Sequence, residues 1–332
     1  MEFLTNPSVP VAIVEILIGL FLLSKAADLF VDGAAAVATK AKLSPVVVGA
    51  VVVGFGTSAP ELLISGIAAL DGNPDLGLGN IVGSNVANVS LVLGFAALIT
   101  PILVTKEVLV REAPLSVGAV ALFAFFTIGG LAVWEGVVML VLLAGALAWI
   151  VLGGNEDSVE EVEVDEDRTL QESIGVTLLG LIGTVLGAQL MVWGAESIAA
   201  SLGLSGGFVG FTLVAIGTSL PELVTAFAAA KKGETELILG NLLGSNMFNS
   251  LAVGGAIAVI GASSFTDRIP ATYGVVAMVV VAALTWVFMV TRRKITRIEA
   301  MFLLSVYVFV VFLIDETTPV GGAIRDVLGA LS

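Results

Sequence analysis

The chain predicts an all-α polytopic membrane protein of ten transmembrane helices, arranged as two inverted five-helix repeats with broken second and seventh helices. Three observations carry that prediction. The 332 residues are 58% hydrophobic and only 13% charged, with a mean hydropathy of +1.08, which leaves too little polar surface for a water-soluble domain. The apolar runs are too long and too unbroken for barrel strands, so helices must satisfy the backbone inside the bilayer. Finally, one block of sequence occurs twice: Gly56-Thr57-Ser58-Ala59-Pro60-Glu61-Leu62 returns as Gly217-Thr218-Ser219-Leu220-Pro221-Glu222-Leu223. At the same offset Gly79-Asn80 returns as Gly240-Asn241, Gly83-Ser84-Asn85 as Gly244-Ser245-Asn246, and Asn88 as Asn249. Two halves of one architecture are the physical meaning of such a register.

Apolar runs of at least ~17 residues mark the spans. They fall near 10–37, 44–70, 75–99, 112–130, 132–152, 173–202, 205–230, 235–260, 270–291 and 298–315. The first and sixth are unusually long and correspond through the offset, Ala27, Leu29, Gly33 and Ala34 matching Ala188, Leu190, Gly194 and Ala195. Such lengths require a steep tilt or an end outside the bilayer. Lys25, Asp28 and Asp32 also lie in the first span, so part of it faces protein, water or headgroups.

Residues 1–152 are read as the first repeat, 153–172 as an acidic loop and 173–332 as the second repeat. Five spans per repeat is an odd number, so the second copy enters from the opposite side. With the N-terminus outside, Lys25, Lys40, Lys42, Lys106, Arg111, Arg168, Lys231, Lys232, Arg292, Arg293, Lys294 and Arg297 are cytoplasmic, and only Arg268 and Arg325 lie outside. That asymmetry orients the protein and puts the acidic loop in the cytoplasm. The start, Met1-Glu2-Phe3, has no basic region typical of a cleaved leader, so the first span is expected to act as the targeting element.

The chain has no Cys and no His, which removes thiol chemistry, the usual zinc and haem ligands and any histidine proton relay. A net charge of −14 speaks against nucleic acid or anionic lipid as a main partner. Much of that charge sits in residues 156–167, where eight of twelve residues are acidic, a composition typical of a solvated, self-repelling loop. A cation-sensing or salt-adapted surface is the other reading of that loop. No obligate protein partner and no cofactor is indicated.

The repeated block places a proline mid-span in each copy. Pro60 and Pro221 lack an N–H, so the carbonyls of Gly56 and Gly217 lose their helical partners, and free carbonyls are expected from Gly54 to Gly56 and from Ala215 to Gly217. At membrane depth such groups are tolerated only where protein, water or an ion meets them. Ser58-x-x-Glu61 and Ser219-x-x-Glu222 also read as capping boxes, which would make each glutamate a plain helix start. Against that, an ionised carboxylate near the bilayer centre costs roughly 2.5–3.5 kcal/mol, and glutamine would cap as well. Two such anions brought together repel, so a cation or a proton is required between them.

Asn80, Ser84 and Asn88 follow at i, i+4 and i+8 on one helix face, and Asn241, Ser245 and Asn249 repeat that face. These groups either line the same site or hydrogen-bond between helices; the second reading weighs most for Asn80, Asn85, Asn241 and Asn246. The glycines at 79, 83, 240 and 244 allow close helix approach. Carboxylate, hydroxyl, amide and carbonyl oxygens are hard ligands that suit Ca²⁺ or Na⁺ and disfavour copper or zinc.

With these residues assembled, the chain resembles the cation/Ca²⁺ exchanger superfamily, and within it the prokaryotic Na⁺/Ca²⁺ exchangers, whose two alpha-repeats look like the GTSxPE and GSNxxN blocks. The resemblance implies Ca²⁺ held between Glu61 and Glu222 with backbone carbonyls of Thr57 and Thr218. It implies Na⁺ sites from Ser58, Ser84, Ser219 and Ser245, the same glutamates and main-chain oxygens near Gly54 and Ala215, with Asn88 and Asn249 at a central position. It further implies a secondary antiporter in which the first and sixth helices slide to give alternating access, with Ca²⁺ and Na⁺ as transported ions. Some members carry Asp where this chain has Asn249, the K⁺-dependent branch among them, so the chain departs from the pattern there. Ca²⁺/H⁺ exchange is the alternative within transport. An intramembrane hydrolase would need a base beside Ser58 or Ser219, and the sequence offers neither His nor a neighbouring Lys. A channel would use similar ligands without counter-ion dependence. Asp28, Asp32 and Glu196 read as surface or helix-packing groups.

Overall fold

The computed structural model describes residues 9–40, 58–106, 108–153, 168–233, 235–261, 264–315, 321–323 and 326. Eleven helices and two short strands build the membrane body among them. In chain order the helices are α1 Val9–Lys40, α2 Ala59–Leu70, α3 Pro74–Ile99, α4 Val108–Phe126, α5 Val133–Gly153 and α6 Leu170–Leu202. They continue as α7 Gly206–Thr218, α8 Leu220–Lys232, α9 Thr235–Ile260, α10 Pro270–Arg292 and α11 Arg297–Ile314. The repeat register is visible in the element boundaries. Val9 and Leu170, Ala59 and Leu220, Pro74 and Thr235, and Ile99 and Ile260 each open or close matching helices at the offset of the repeated block.

Seven of these helices are long and apolar enough to cross a bilayer: α1, α3, α4, α6, α9, α10 and α11. α7 and α8 form an eighth crossing as a pair bent by 40° at Ser219. α2 and the apolar stretch Val133–Trp149 of α5 are shorter. The ten expected spans therefore meet seven long helices, one bent pair and two shorter apolar helices among the described residues. Residues 44–57 of the expected second span lie outside them.

α1 and α6 pair along their length, and the contact residues fix their direction. Gly194 lies against Ile16, Gly187 against Leu23 and Gly180 against Phe30, so the chain position falls on one helix as it rises on the other. The two helices are antiparallel. Three glycines of α6, at 180, 187 and 194, recur every seven residues, which keeps a smooth seam on one side of the helix. A methyl on Gly187 would sit 2.6 Å from the Leu23 backbone nitrogen, so the helices touch backbone to backbone there.

The remaining helices enclose a core in which Phe123, Met139, Ile81, Val253 and Met278 are almost fully buried. π-helical turns lie inside α3 at Ala87–Val92, inside α9 at Asn249–Val253 and inside α7 at Gly210–Val214. Two more open α4 at Val108–Glu112 and α10 at Pro270–Gly274. Such turns are rare and occur mostly at functional sites. A two-residue antiparallel ladder, Ile102 with Ile295 and Leu103 with Lys294, ties the loop after α3 to the link between α10 and α11.

Candidate cation site

Ser58 and Ser219 precede α2 and α8 with nearly the same backbone: φ −97° and ψ 6° for the first, φ −82° and ψ 5° for the second. These ψ values lie outside the helical range, so the chain turns at each serine and a new helix starts with proline inside its first turn. Glu61 and Glu222 fall in those first turns, where the helix dipole favours negative charge.

The capping boxes expected at both starts are not formed. Neither Ser58 nor Ser219 makes a side-chain cap bond. Both hydroxyls, both carboxylate oxygens of Glu61 and Oε2 of Glu222 are buried with no hydrogen-bond partner among the described residues. The same chain shows what a formed box looks like. At the start of α6, Thr169 N–H donates to Glu172 Oε2 at 2.7 Å and Glu172 N–H donates to Thr169 Oγ1 at 3.3 Å. At the start of α11, Thr296 and Glu299 make the same two bonds at 2.7 and 3.4 Å. The glutamates of the repeated block thus do not serve as caps; proline inside the first turn removes one of the N–H groups a cap would satisfy, and the carboxylates turn inward.

The described members of the predicted set are all buried. Ser58, Glu61, Ser84, Asn88, Ala215, Thr218, Ser219, Glu222, Ser245 and Asn249 are each at most 3% exposed. Gly54 and Thr57 lie outside the described residues. Glu61 and Glu222 stand close enough to act on each other's charge, although they come from opposite halves of the chain. Ser245 Oγ donates to Glu222 Oε1 at 3.3 Å. The Thr218 hydroxyl donates to Asn80 Oδ1 at 3.2 Å and lies 3.4 Å from the Ser84 hydroxyl.

The freed carbonyl expected at Ala215 is not found. Its oxygen accepts from the Ser219 N–H at 3.0 Å and from the Thr218 hydroxyl at 3.3 Å, so the helix continues one turn further than the proline argument predicts. The break lies at Ser219 itself.

The asparagines divide by role. Asn80 Nδ2 reaches the Ser65 hydroxyl at 3.0 Å and the main-chain oxygen of Glu61 at 3.5 Å, so it braces α2 against α3. Asn85 donates to Ser250 at 3.0 Å and Asn246 donates to the Asn85 carbonyl at 3.1 Å, so these join the halves. Among the described residues Asn88 donates to Asn246 Oδ1 at 3.0 Å but its own oxygen has no partner, and neither amide atom of the fully buried Asn249 has one. An unsatisfied buried amide costs about 1–3 kcal/mol, so Asn249 is a place where a ligand has something to supply. Ser65 escapes motif reading, although it stands four residues after Glu61 on the same helical face. Among the described residues no three acidic side chains gather, so any ion here would complete its shell with hydroxyl, amide and carbonyl oxygens.

A model of the sodium/calcium exchanger protein family matches residues 11–152 and 172–314, the two halves of the repeat. The chain belongs to the sodium/calcium exchanger family. Relatives of this exchanger include an uncharacterised membrane protein of Methanocaldococcus jannaschii, 37% identical over 295 residues that make up 89% of this chain and 95% of that protein. The sodium/calcium exchanger MaX1 of Methanosarcina acetivorans is 29% identical over 334 residues, covering 88% of this chain and 95% of its own. The sodium–calcium exchanger NCX_Mj, solved after soaking with 10 mM Na⁺ and 10 mM Sr²⁺, superposes with a TM-score of 0.61 at 33% identity, over 91% of this chain and 98% of that one. Members of the family are transporters of the exchanger type, and this chain is a multi-pass membrane protein of that family.

Proposed function

We propose that this exchanger is a secondary antiporter in which Na⁺ moving down its gradient drives Ca²⁺ out of the cell through one buried site. The observation that carries the reading is the pair Glu61 and Glu222: one carboxylate from each half, both fully buried, within reach of each other's charge and without a donor among the described residues at three of four oxygens. Two adjoining anions in a low-dielectric interior need compensation of about two positive charges. One Ca²⁺ or several Na⁺ supply it, and they compete for the same oxygens.

In this reading Ca²⁺ lies between the two glutamates with carbonyls of Thr57 and Thr218. Na⁺ is held by Ser58, Ser84, Ser219 and Ser245 together with the glutamates and main-chain oxygens near Gly54; the Ala215 carbonyl, already accepting two hydrogen bonds, is left out of this set. Asn88 and Asn249 line a central position that accepts Na⁺ or water. An empty site leaves two uncompensated charges and resists conversion between inward- and outward-facing states, which enforces exchange. If more than two Na⁺ cross per Ca²⁺, each turnover moves charge and responds to voltage.

The same reading divides the chain into repeats 1–152 and 173–332 around a cytoplasmic acidic loop at 153–172, with ten spans of inverted topology and the N-terminus outside. The antiparallel course of α1 and α6, which occupy equivalent places in the two copies, supports inversion. Their glycine seam supports movement of the pair as a unit against the core.

The test is uptake of radiolabelled calcium by proteoliposomes under gradients of Na⁺, K⁺ and H⁺ imposed one at a time. Uptake driven by the Na⁺ gradient alone is expected. Uptake that follows the H⁺ gradient and ignores Na⁺ would assign the protein to Ca²⁺/H⁺ exchange instead.

A further inference from the structure

Between the last turns of α4 and the first turns of α10 lies an apolar groove of about 820 Å³ that none of the site residues line. We infer that this groove is a phospholipid site, with an acyl chain along its floor and the lipid phosphate on Arg268 at its mouth. The inference rests on the membrane-spanning assignment and does not depend on which ions are exchanged.

The dimensions suit one leaflet. The groove follows α10 from Ala271 to Val280, nine helical rises or about 14 Å. Half of a ~30 Å hydrocarbon core is about the same length. Its walls are apolar and face outward, with Phe125 66%, Ile128 78%, Val276 58% and Val280 57% exposed. The charged group sits at one end, where Arg268 and Ser264 line the rim beside Gly129 and Gly130, with Thr272 one helical turn further along α10. Trp134 lies at the same end with its ring 5.6 Å from Phe126, edge to face, and is 61% exposed. Tryptophan favours the headgroup level, so the rim stands where a lipid phosphate would be.

Charge completes the fit. Arg268 is exposed and makes no ion pair among the described residues. The adjoining acid, Asp267, turns inward: its Oδ1 accepts from Ile269 N–H at 3.3 Å, and its Oδ2 is buried against Gly207. A guanidinium free of its neighbouring carboxylate binds phosphate through two parallel hydrogen bonds. The net charge of −14 excludes broad attraction to an anionic surface, so recognition is confined to this single arginine and the groove behind it. On the proposed orientation the site opens to the outer leaflet.

The experiment is native mass spectrometry of the full chain in a neutral detergent, titrated separately with phosphatidylglycerol, with diacylglycerol of the same chains and with inorganic phosphate. One phosphatidylglycerol should stay bound per chain. Arg268→Gln, and Ala124→Trp which fills the groove, should each reduce that occupancy at least tenfold, while Arg292→Gln at the far end of α10 leaves it unchanged. Equal retention of diacylglycerol, full occupancy in Arg268→Gln, or displacement of the lipid by inorganic phosphate alone would overturn the assignment. So would a second copy of the chain, and no lipid, being lost when the groove is filled. A melting profile of each variant separates loss of the site from loss of the fold.

Discussion

The side-chain amide of Asn246 donates to the backbone carbonyl of Asn85 at 3.1 Å, and the two residues occupy the same place in the two copies of the repeat, 161 positions apart. The two copies of the repeated block therefore meet at this bond, with Asn88 bonded to Asn246 and Ser250 to Asn85 beside it.

That placement predicts a cost for breaking the bond. Asn246→Ala strands the Asn85 carbonyl and the Asn88 amide in a dry interior, and each unsatisfied group costs about 1–3 kcal/mol. Thermal unfolding in detergent should show a clear loss of stability, whereas Asn241→Ala, whose amide nitrogen has no partner among the described residues, should lose less.

The Thr218 hydroxyl links Asn80 to Ser84 across the two halves. Thr218→Val keeps the shape and removes the hydroxyl, leaving Asn80 Oδ1 unpaired, so stability should fall by about 1–3 kcal/mol. The apparent affinity for Na⁺ should weaken as well, because the Ser84 hydroxyl loses its neighbour. Thr218→Ser should restore both; isotope flux at graded Na⁺ reads the second effect.

Glycines on the seam and off it should answer differently to a methyl group. Gly187→Ala pushes a carbon against the Leu23 backbone, which cannot rotate away, and overpacking of this kind costs about 1–3 kcal/mol. Gly145→Ala in α5 meets nothing within 4 Å and should be neutral or stabilising by up to about 1 kcal/mol. Comparison of the two melting midpoints checks the claim.

Much of the burial pattern is legible in the sequence because the repeat offset survives undamaged: the paired glutamates, the serines before them and the stripe from Asn80 to Asn88 are all buried. What spacing does not carry is the direction of hydrogen bonding. Ser58-x-x-Glu61 has the letters of a capping box, and only the backbone turn at the serine, with Pro60 in the first helical turn, decides that no cap forms. Proline arithmetic likewise puts a free carbonyl at Ala215, where the Ser219 N–H and the Thr218 hydroxyl in fact occupy it. The π turns at Asn88 and Asn249 leave no mark in an apolar pattern, since one extra residue in a turn hardly alters hydropathy. The antiparallel α1–α6 seam is half visible, in the length of both helices and the match of Gly33 with Gly194, but its seven-residue step needs the contacts.

Two bonds hold α6 to the turn between α2 and α3: Gln189 Nε2 donates to Asp71 Oδ2 at 3.3 Å, and Asn73 Nδ2 donates to Glu196 Oε1 at 3.1 Å. The repeat offset maps Gln189 onto Asp28 and Asp71 onto Lys232, while Asp28 here lies 3.8 Å from Lys25. Alternating access predicts that the first pair closes in one state and the second in the other. Because the chain has no cysteine, the double variants Q189C/D71C and D28C/K232C give clean cross-links. Their oxidation should respond in opposite directions to Ca²⁺ and Na⁺ gradients; parallel responses would count against two alternating states.

The central claim is that Glu61 and Glu222 form one shared cation site. Calorimetric titration of Ca²⁺ into the protein, in Na⁺-free buffer, tests it most directly when repeated on Glu61→Gln and Glu222→Gln. Both variants should fold at least as well as the parent without ions, since each removes a buried charge. Each alone should abolish measurable binding; a variant that kept half of the bound calcium at unchanged affinity would show two independent sites and contradict the account.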